Sequence, residues 1–83
     1  MISIDVKIIA KELMPGLVNG VYNVNDGITV SDLLTLCEKE CGVSIPEWNY
    51  KHIYPIFNGI ATNLETAITE SGTLYMCRTV VGG

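Results

Sequence analysis

The chain has 83 residues, of which 48% are hydrophobic and 17% are charged, and its formal net charge is −4. A chain of this length folds around one core and has little room for an extensive catalytic cleft beside it. We therefore expect a carrier, a binding module or a subunit rather than a free-standing enzyme. The acidic balance, with five basic residues scattered along the sequence, argues against nucleic-acid binding.

No apolar run approaches the roughly 18 residues that span a bilayer. Asp5 and Lys7 interrupt the apolar stretch in which a signal peptide would have its hydrophobic segment. The three cysteines are an odd number, and their simplest interpretation is reduced thiols. These features predict a cytoplasmic protein that does not enter a membrane.

The first predicted strand covers residues 2–10, where the side chains alternate with the period of two that marks a half-covered strand. One face carries Ile2, Ile4, Val6 and Ile8, and the other carries Ser3, Asp5, Lys7 and Ile9. Turn-forming residues follow at 14–20, and a second strand is predicted at 21–25.

The clearest helix pattern begins at Thr29, which is a suitable N-cap, and Asp32 lies at the third helical position, a variant of the capping box. The apolar residues that follow have helical spacing and form one stripe: Val30, Leu33, Leu34, Cys37 and Cys41. Gly42 is suited to end the helix in a left-handed conformation.

Residues 43–52 surround Pro46 and are predicted to be irregular. A strand is expected at 53–57, a tight turn at Asn58-Gly59 and a short return strand at 60–62. Residues 66–71 are expected to hold one helical turn, and residues 73–81 form a last strand rich in β-formers. One helix covers only one face of a sheet, so this order predicts an α+β two-layer domain.

The sequence closes on Gly82-Gly83, directly after the predicted last strand. We expect a single domain at residues 1–81 and a flexible tail at residues 82–83. Two residues without Cβ atoms fit a narrow channel and leave the terminal carbonyl sterically open. Such a tail suits a carboxylate that must reach the α-phosphate of ATP inside another enzyme. The alternative is a frayed end without a function.

Several short motifs, taken in order, resemble the family of the molybdopterin synthase small subunit and the thiamin-biosynthesis sulfur carrier. The matching residues are Ile8-Ile9-Ala10 with Glu12-Leu13, Thr29 to Leu34, Phe57-Asn58-Gly59, Glu70 to Leu74, and Val80-Val81-Gly82-Gly83. The resemblance covers nearly the whole chain and is weakest at 43–55. It implies a ubiquitin-like β-grasp fold, with a mixed sheet of about four to five strands covered on one face by one main helix.

The resemblance also implies a mechanism and partners. A ubiquitin-activating-like adenylyltransferase uses ATP to adenylate the Gly83 carboxylate, and Gly82 gives it access. A sulfur donor of the desulfurase or rhodanese type then converts the adenylate to a thiocarboxylate. The sulfur passes to the molybdopterin synthase large subunit or to another sulfur-accepting enzyme. The carrier itself binds no cofactor in this scheme.

Two features depart from the family and leave the receiving pathway open. Arg78-Thr79 stand where molybdopterin subunits often have prolines, and the segment between the helix and Asn58-Gly59 is longer than in thiamin carriers. The open alternatives are a carrier for thiamin, amino-acid or tRNA thiolation, a modifier conjugated to lysines, and a ubiquitin-like interaction domain without terminal chemistry.

A partner that receives this tail must recognise the surface behind it, because glycines have no side chains to contact. Ile9 points to the face of the sheet opposite Ile8. We expect it either to form an apolar docking patch with outward-leaning groups such as Tyr75 or Phe57, or to be partly buried under the 43–52 segment. Arg78 is the candidate charge at the base of the tail, and Thr79, Val80 and Val81 are expected to contact the partner within its channel.

Cys37 and Cys41 lie one helical turn apart, and His52 would be a third candidate metal ligand. Because both thiols fall on the apolar stripe, we expect them to pack in the core and predict no metal site. Cys77 has only Arg78 nearby to lower the pKa of its thiol, and we assign it no persulfide role. Trp48, Tyr50 and Tyr54 are expected to pack the 43–52 segment against the domain, and the alternative is that they bind a partner.

Overall fold

The computed structural model describes residues 1–79. The expectations for Val80, Val81, Gly82 and Gly83, including the boundary between domain and tail, lie outside the described residues. In chain order the elements are β1 (Ile2–Ile8), β2 (Gly20–Val24), β3 (Ile28–Thr29), α1 (Val30–Cys41), α2 (Glu47–Tyr50), β4 (Ile53–Phe57), β5 (Ile60–Ala61), β6 (Ala67–Ile68) and β7 (Gly72–Arg78).

Five strands form the main sheet in the order β2-β1-β7-β4-β5. Strand β7 is central, and it pairs in parallel with β1 and antiparallel with β4. The alternation predicted for β1 is confirmed, because Ile4, Val6 and Ile8 are buried while Asp5 and Lys7 are only partly covered. The first and last strands therefore lie side by side in the middle of the sheet.

Helix α1 has the predicted ends. The Thr29 side-chain oxygen accepts a hydrogen bond from the backbone amide of Asp32 at 3.1 Å. Gly42 has a φ of 69° and donates to the carbonyl of Lys39, so its left-handed conformation closes the helix. The predicted stripe lies in the core, where Val30, Leu33, Leu34 and Cys37 are buried, and Cys41 is half-buried.

The Asn58-Gly59 turn is also confirmed. Asn58 and Gly59 have φ values of 51° and 80°, the two positive angles of the hairpin turn that this dipeptide favours. The Asn58 side-chain oxygen accepts from the amide of Thr73 at 3.0 Å. The turn thereby fixes the first residues of β7 against β4.

Two local expectations were wrong. Residues 43–52 contain a short helix, α2, which Pro46 precedes with a φ of −58°. Residues 66–71 form no helical turn, because Ala67–Ile68 pairs antiparallel with Ile28–Thr29 as a second, two-stranded sheet. Ile68 is buried in the core, so tertiary pairing overrides the local preference of this segment.

Candidate partner-docking face and tail exit

The face of the main sheet that α1 does not cover is the open face. Residues on it are identified by alternation along each strand and by the register between strands. Lys7 of β1 is paired with Tyr75 of β7, which is paired in turn with Ile56 of β4. Cys77 of β7 is paired with Tyr54 of β4.

Ile9 and Tyr75 are both exposed, which is the first of the two arrangements that the sequence left open for Ile9. The backbone amides of Ile9 and Ala10 both donate to the carbonyl of Met76, at 3.0 and 2.9 Å. Ile9 and Ala10 thus both oppose Met76, as in a β-bulge. Ile9 is 57% exposed, whereas Ala10 is buried. With Tyr54 and Tyr75, each 42% exposed, and Ile56 and Cys77 between them, Ile9 forms what we call the open-face patch.

The expectation that Phe57 joins this patch was wrong. Phe57 is 8% exposed and belongs to the core with Ile53 and Pro55, whereas Tyr54 and Ile56 have the opposite orientation. Its register partner is the fully buried Leu74, so both side chains lie under the helix. All five residues of β4 are apolar or aromatic, and their sequence therefore gives no alternation from which the buried face is predicted.

The residue after strand β7 is held at a fixed position. The backbone amide and the side-chain hydroxyl of Thr79 both donate to the carbonyl oxygen of His52, each at 2.8 Å. Thr79 is the last described residue, and it is four positions before Gly83. We call this end of the sheet, formed by the end of β1, the start of β4 and the end of β7, the tail exit.

Arg78 lies at the tail exit but not in the open-face patch. Alternation along β7 places its side chain on the same side as Leu74 and Met76. A guanidinium nitrogen of Arg78 donates to a Glu12 carboxylate oxygen at 3.1 Å, and both side chains are more than half exposed. The ion pair connects the last residue of β7 to the loop after β1.

The expectation that Trp48 packs its segment against the domain was wrong. Trp48 is 65% exposed, and its ring meets the His52 ring edge-on at a centroid distance of 5.3 Å. The segment is held instead by the buried Ile45 and by Asn49, whose side-chain amide donates to the carbonyl of Leu13 at 2.8 Å. Trp48 is therefore a projecting aromatic side chain beside the residue that anchors Thr79.

The cysteines pack as expected. Cys37 is buried, and desolvation raises the pKa of its thiol to about 11, so it is protonated and poorly nucleophilic near neutral pH. Cys41 and Cys77 are half-buried, and all three thiols are free. Within residues 1–79 there is no cluster of three or more His, Cys, Asp or Glu side chains able to hold a metal ion.

Sequence reasoning missed two features of the tail exit. Lys51 lies with its ammonium nitrogen 5.6 Å from the centroid of the Trp48 ring, a cation–π arrangement. Lys11 follows the bulge at the end of β1, in the loop that supplies Glu12. A Trp-x-x-Lys spacing within one helical turn is the only local signal of the first feature. The proximity of Lys11 and Lys51 to the end of β7 results from the fold alone.

The parallel pairing of the first and last strands, with one helix across the sheet, defines a ubiquitin-like β-grasp domain. No protein-family model matches the chain, and no curated protein sequence matches it.

Among the residues that the structure describes, no helix has the length and apolar character needed to cross a bilayer.

Solved structures share this fold. One is a protein from Pyrococcus furiosus described as molybdopterin converting factor, subunit 1, with a TM-score of 0.67 and 14% identity over 96% of this chain and 100% of that chain. Another is SAMP1 from Haloferax volcanii, with a TM-score of 0.64 and 21% identity over 98% of this chain and 99% of that one. ATBAG1 in complex with HSP70 matches with a TM-score of 0.59 and 9% identity, over 98% of this chain but 42% of that chain.

Proposed function

We propose that this chain is a sulfur carrier in which Gly83 is the working residue. Its carboxylate is adenylated by a ubiquitin-activating-like enzyme, with release of pyrophosphate from ATP. The terminal persulfide sulfur of a desulfurase- or rhodanese-type donor then attacks the adenylate and displaces AMP, and a second thiol cleaves the resulting acyl disulfide, which releases the thiocarboxylate and leaves a disulfide between that thiol and the donor. The adenylate is required because a carboxylate is a poor acyl donor until it has a phosphate leaving group. The resulting thiocarboxylate is a soft nucleophile that delivers sulfur to an acceptor.

The observation that carries this proposal is the exit of the central strand. Strand β7 is held on both sides by β1 and β4, and two hydrogen bonds fix Thr79 to His52. Four further residues reach at most about 14 Å when extended. A partner's active site must therefore come close to the tail exit, with Val80, Val81 and Gly82 in the channel between the domain and the reacting atoms.

We assign the carrier to molybdopterin biosynthesis, with the synthase large subunit as the acceptor. The fold match to a protein described as molybdopterin converting factor, subunit 1, extends over the full length of that protein and supports this assignment. Carriers for thiamin, amino-acid or tRNA thiolation and lysine-conjugated modifiers need the same terminal carboxylate. These alternatives differ in what receives the activated terminus or its sulfur, which is a different acceptor enzyme for each carrier and a lysine side chain for a modifier.

The chain supplies no general base in this scheme. The thiol of Cys37 is protonated at neutral pH, and the ring of His52 packs against Trp48. The partners carry out catalysis, and the carrier contributes a reactive terminus and a docking surface. We place the reactions in the cytoplasm, where ATP and reduced thiols are present.

The test combines the chain with the ubiquitin-activating-like enzyme of the same genome, ATP and a sulfur donor. Wild-type protein should support ATP–pyrophosphate exchange and gain the mass that corresponds to one oxygen replaced by sulfur. Deletion of Gly82 and Gly83 should abolish both. A variant with Cys37, Cys41 and Cys77 replaced by Ser or Ala should still gain sulfur if it folds. Exchange by the truncated protein would exclude terminal chemistry.

A second candidate function is a ubiquitin-like interaction domain without terminal chemistry. One comparison favours it, because the same fold occurs in ATBAG1, a longer chain whose structure is a complex with HSP70. In that case, removal of Gly82 and Gly83 would leave every partner interaction intact.

A further inference from the structure

The five basic residues are scattered along the sequence, yet four of them gather at one end of the fold. Lys7 is the penultimate residue of β1, Lys11 follows the bulge after β1, Lys51 lies shortly before β4, and Arg78 is the last residue of β7. The ends of β1 and β7 are adjacent because these strands are parallel, and the start of β4 is adjacent because β4 is antiparallel to β7. The fold thus assembles a basic collar around the tail exit, in which the carboxylates of Asp5, Glu12 and Glu47 are interspersed.

The opposite end of the sheet is acidic. Among the described residues, the segments at that end contain four carboxylates and no Lys or Arg: Asp26, Asp32, Glu65 and Glu70. Hydrogen bonds place these segments together, because the first residues of α1 donate to the carbonyls of Leu64 and Thr66. The side-chain oxygen of Ser71 accepts from the amide of Ser3 at the start of β1. These four charges equal the whole formal net charge of −4.

Part of the basic collar is free of internal partners. Lys7 lies 3.5 Å from Asp5, and Arg78 is paired with Glu12. Within residues 1–79, Lys11 and Lys51 form no ion pair, and both are exposed. Their charges are therefore available to an external acidic group.

Trp48 adds an apolar anchor to this collar. It is the single tryptophan of the chain and has the ammonium group of Lys51 near its ring. Alternation at the start of β4 gives His52, against which it packs, the orientation of Tyr54 on the open face. Exposed tryptophan and arginine are the side chains most often found at the energetic centre of protein interfaces.

We propose that the exit rim, composed of Lys11, Trp48, Lys51 and Arg78, docks on an acidic protein surface around the channel that admits the tail, with Trp48 as the anchor. The inference rests on the proposed function, because it assumes that an enzyme receives the tail. A protein is the occupant rather than a polyanion, since the chain as a whole is acidic and the rim centres on an aromatic side chain.

The separated charges also orient the approach. An acidic partner surface attracts the exit rim and repels the opposite end with its four carboxylates, so the chain arrives with its tail forward. Complementary charge of this kind acts mainly on the association rate and weakens as salt screens it. A buried aromatic anchor acts mainly on the dissociation rate.

The experiment measures surface plasmon resonance of the full chain on the ubiquitin-activating-like adenylyltransferase of the same genome. Lys51→Glu and Lys11→Glu should each lower the association rate constant about tenfold at about 20 mM salt, and the difference should nearly disappear at about 0.5 M salt. The matched control is Lys39→Glu, the same charge change in the last turn of α1 between two glutamates, which should lower the association rate clearly less than either rim variant. Trp48→Ala should speed dissociation about tenfold.

Circular dichroism melts confirm that each variant folds, and ATP–pyrophosphate exchange is measured in parallel. The exit-rim proposal would be overturned if Lys51→Glu and Lys11→Glu associate at the wild-type rate, or if Lys39→Glu lowers the association rate as much as they do. In either case, ATP–pyrophosphate exchange by the wild-type protein would still support the proposed function. Rim-dependent binding without exchange by the wild type would instead overturn the proposed function and leave the docking surface standing. Absence of wild-type binding would overturn both.

Discussion

The carbonyl oxygen of His52 accepts two hydrogen bonds from Thr79, one from its backbone amide and one from its hydroxyl, both at 2.8 Å. The last described residue of the chain is therefore held to the start of β4, although β7 as a regular strand ends one residue earlier. The two hydrogen bonds fix the position of Thr79, from which the proposed tail continues.

Thr79→Val removes one of the two bonds and keeps the shape and the backbone amide. We expect a loss of about 0.5–1.5 kcal/mol in the free energy of unfolding, measured by urea denaturation. We also expect weaker ATP–pyrophosphate exchange, because the tail origin is less well fixed. Thr79→Ser keeps the hydroxyl and should retain both properties. If Val and Ser behave alike, the side-chain bond has no part in positioning the tail.

Ile9→Asp places a charge in the open-face patch. It should weaken binding to the activating or acceptor enzyme by more than about tenfold, or about 1.4 kcal/mol, in calorimetric titrations. The matched control is Ile60→Asp, the same change at a side chain that is 67% exposed on the edge strand β5. Equal losses at both positions would show a general effect of added negative charge and not a contact at Ile9.

Variants of the Arg78–Glu12 ion pair test whether Arg78 contributes to partner binding, to stability or to both. Because both partners are exposed, Arg78→Ala should change the free energy of unfolding by less than about 1 kcal/mol. The swapped variant, Arg78→Glu with Glu12→Arg, keeps the net charge and an ion pair of the opposite orientation. It should unfold like the wild type but bind the partner more weakly. Full binding by the swapped protein would mean that Arg78 serves only the pair with Glu12.

The burial of the Cys37 thiol predicts that the folded protein loses stability in alkaline solution. Burial raises the pKa of its thiol from 9.0 to about 11, so between these values the folded state holds a proton that the unfolded state has released. This contribution to stability is complete below about pH 9 and is lost as the pH rises toward 11. Burial raises the pKa values of Tyr22 and Tyr50 as well, so the useful quantity is a difference between variants.

Cys37→Ala removes the thiol at the cost of a small cavity. Urea denaturation at a series of pH values should show the wild type losing its advantage over Cys37→Ala above about pH 9. A constant difference up to pH 11 would mean that the thiol titrates alike in the folded and unfolded chains.

The features that could be predicted from the sequence are those with local signals. The caps of α1 at Thr29 and Gly42 lie within one turn of the residues that they serve, and the Asn58-Gly59 turn needs only its own two residues. Strand β6 has two residues and exists because Ala67 and Ile68 meet β3, which no local pattern encodes. The surface could be predicted only in part, for the same reason.

Ile9 was placed correctly because β1 alternates clearly between apolar and polar residues. Phe57 was not, because β4 is apolar throughout and its buried face depends on pairing with β7. Of the charges in the exit rim, only Arg78 was predicted. Lys11 and Lys51 were missed because they come from separate segments that the sheet order brings beside the end of β7. Their charges have no pattern until the fold is known.

The parallel contact of β1 with β7 also governs how the protein folds. Ser3 and Ser71, joined by a hydrogen bond, are 68 residues apart in the sequence, so closing the centre of the sheet brings together two distant segments. Such a high contact order slows folding relative to a domain of the same size with local contacts. During synthesis, β1 has no partner on one side until β7 has left the ribosome, and the domain therefore completes its core only after residues 72–78 have been translated.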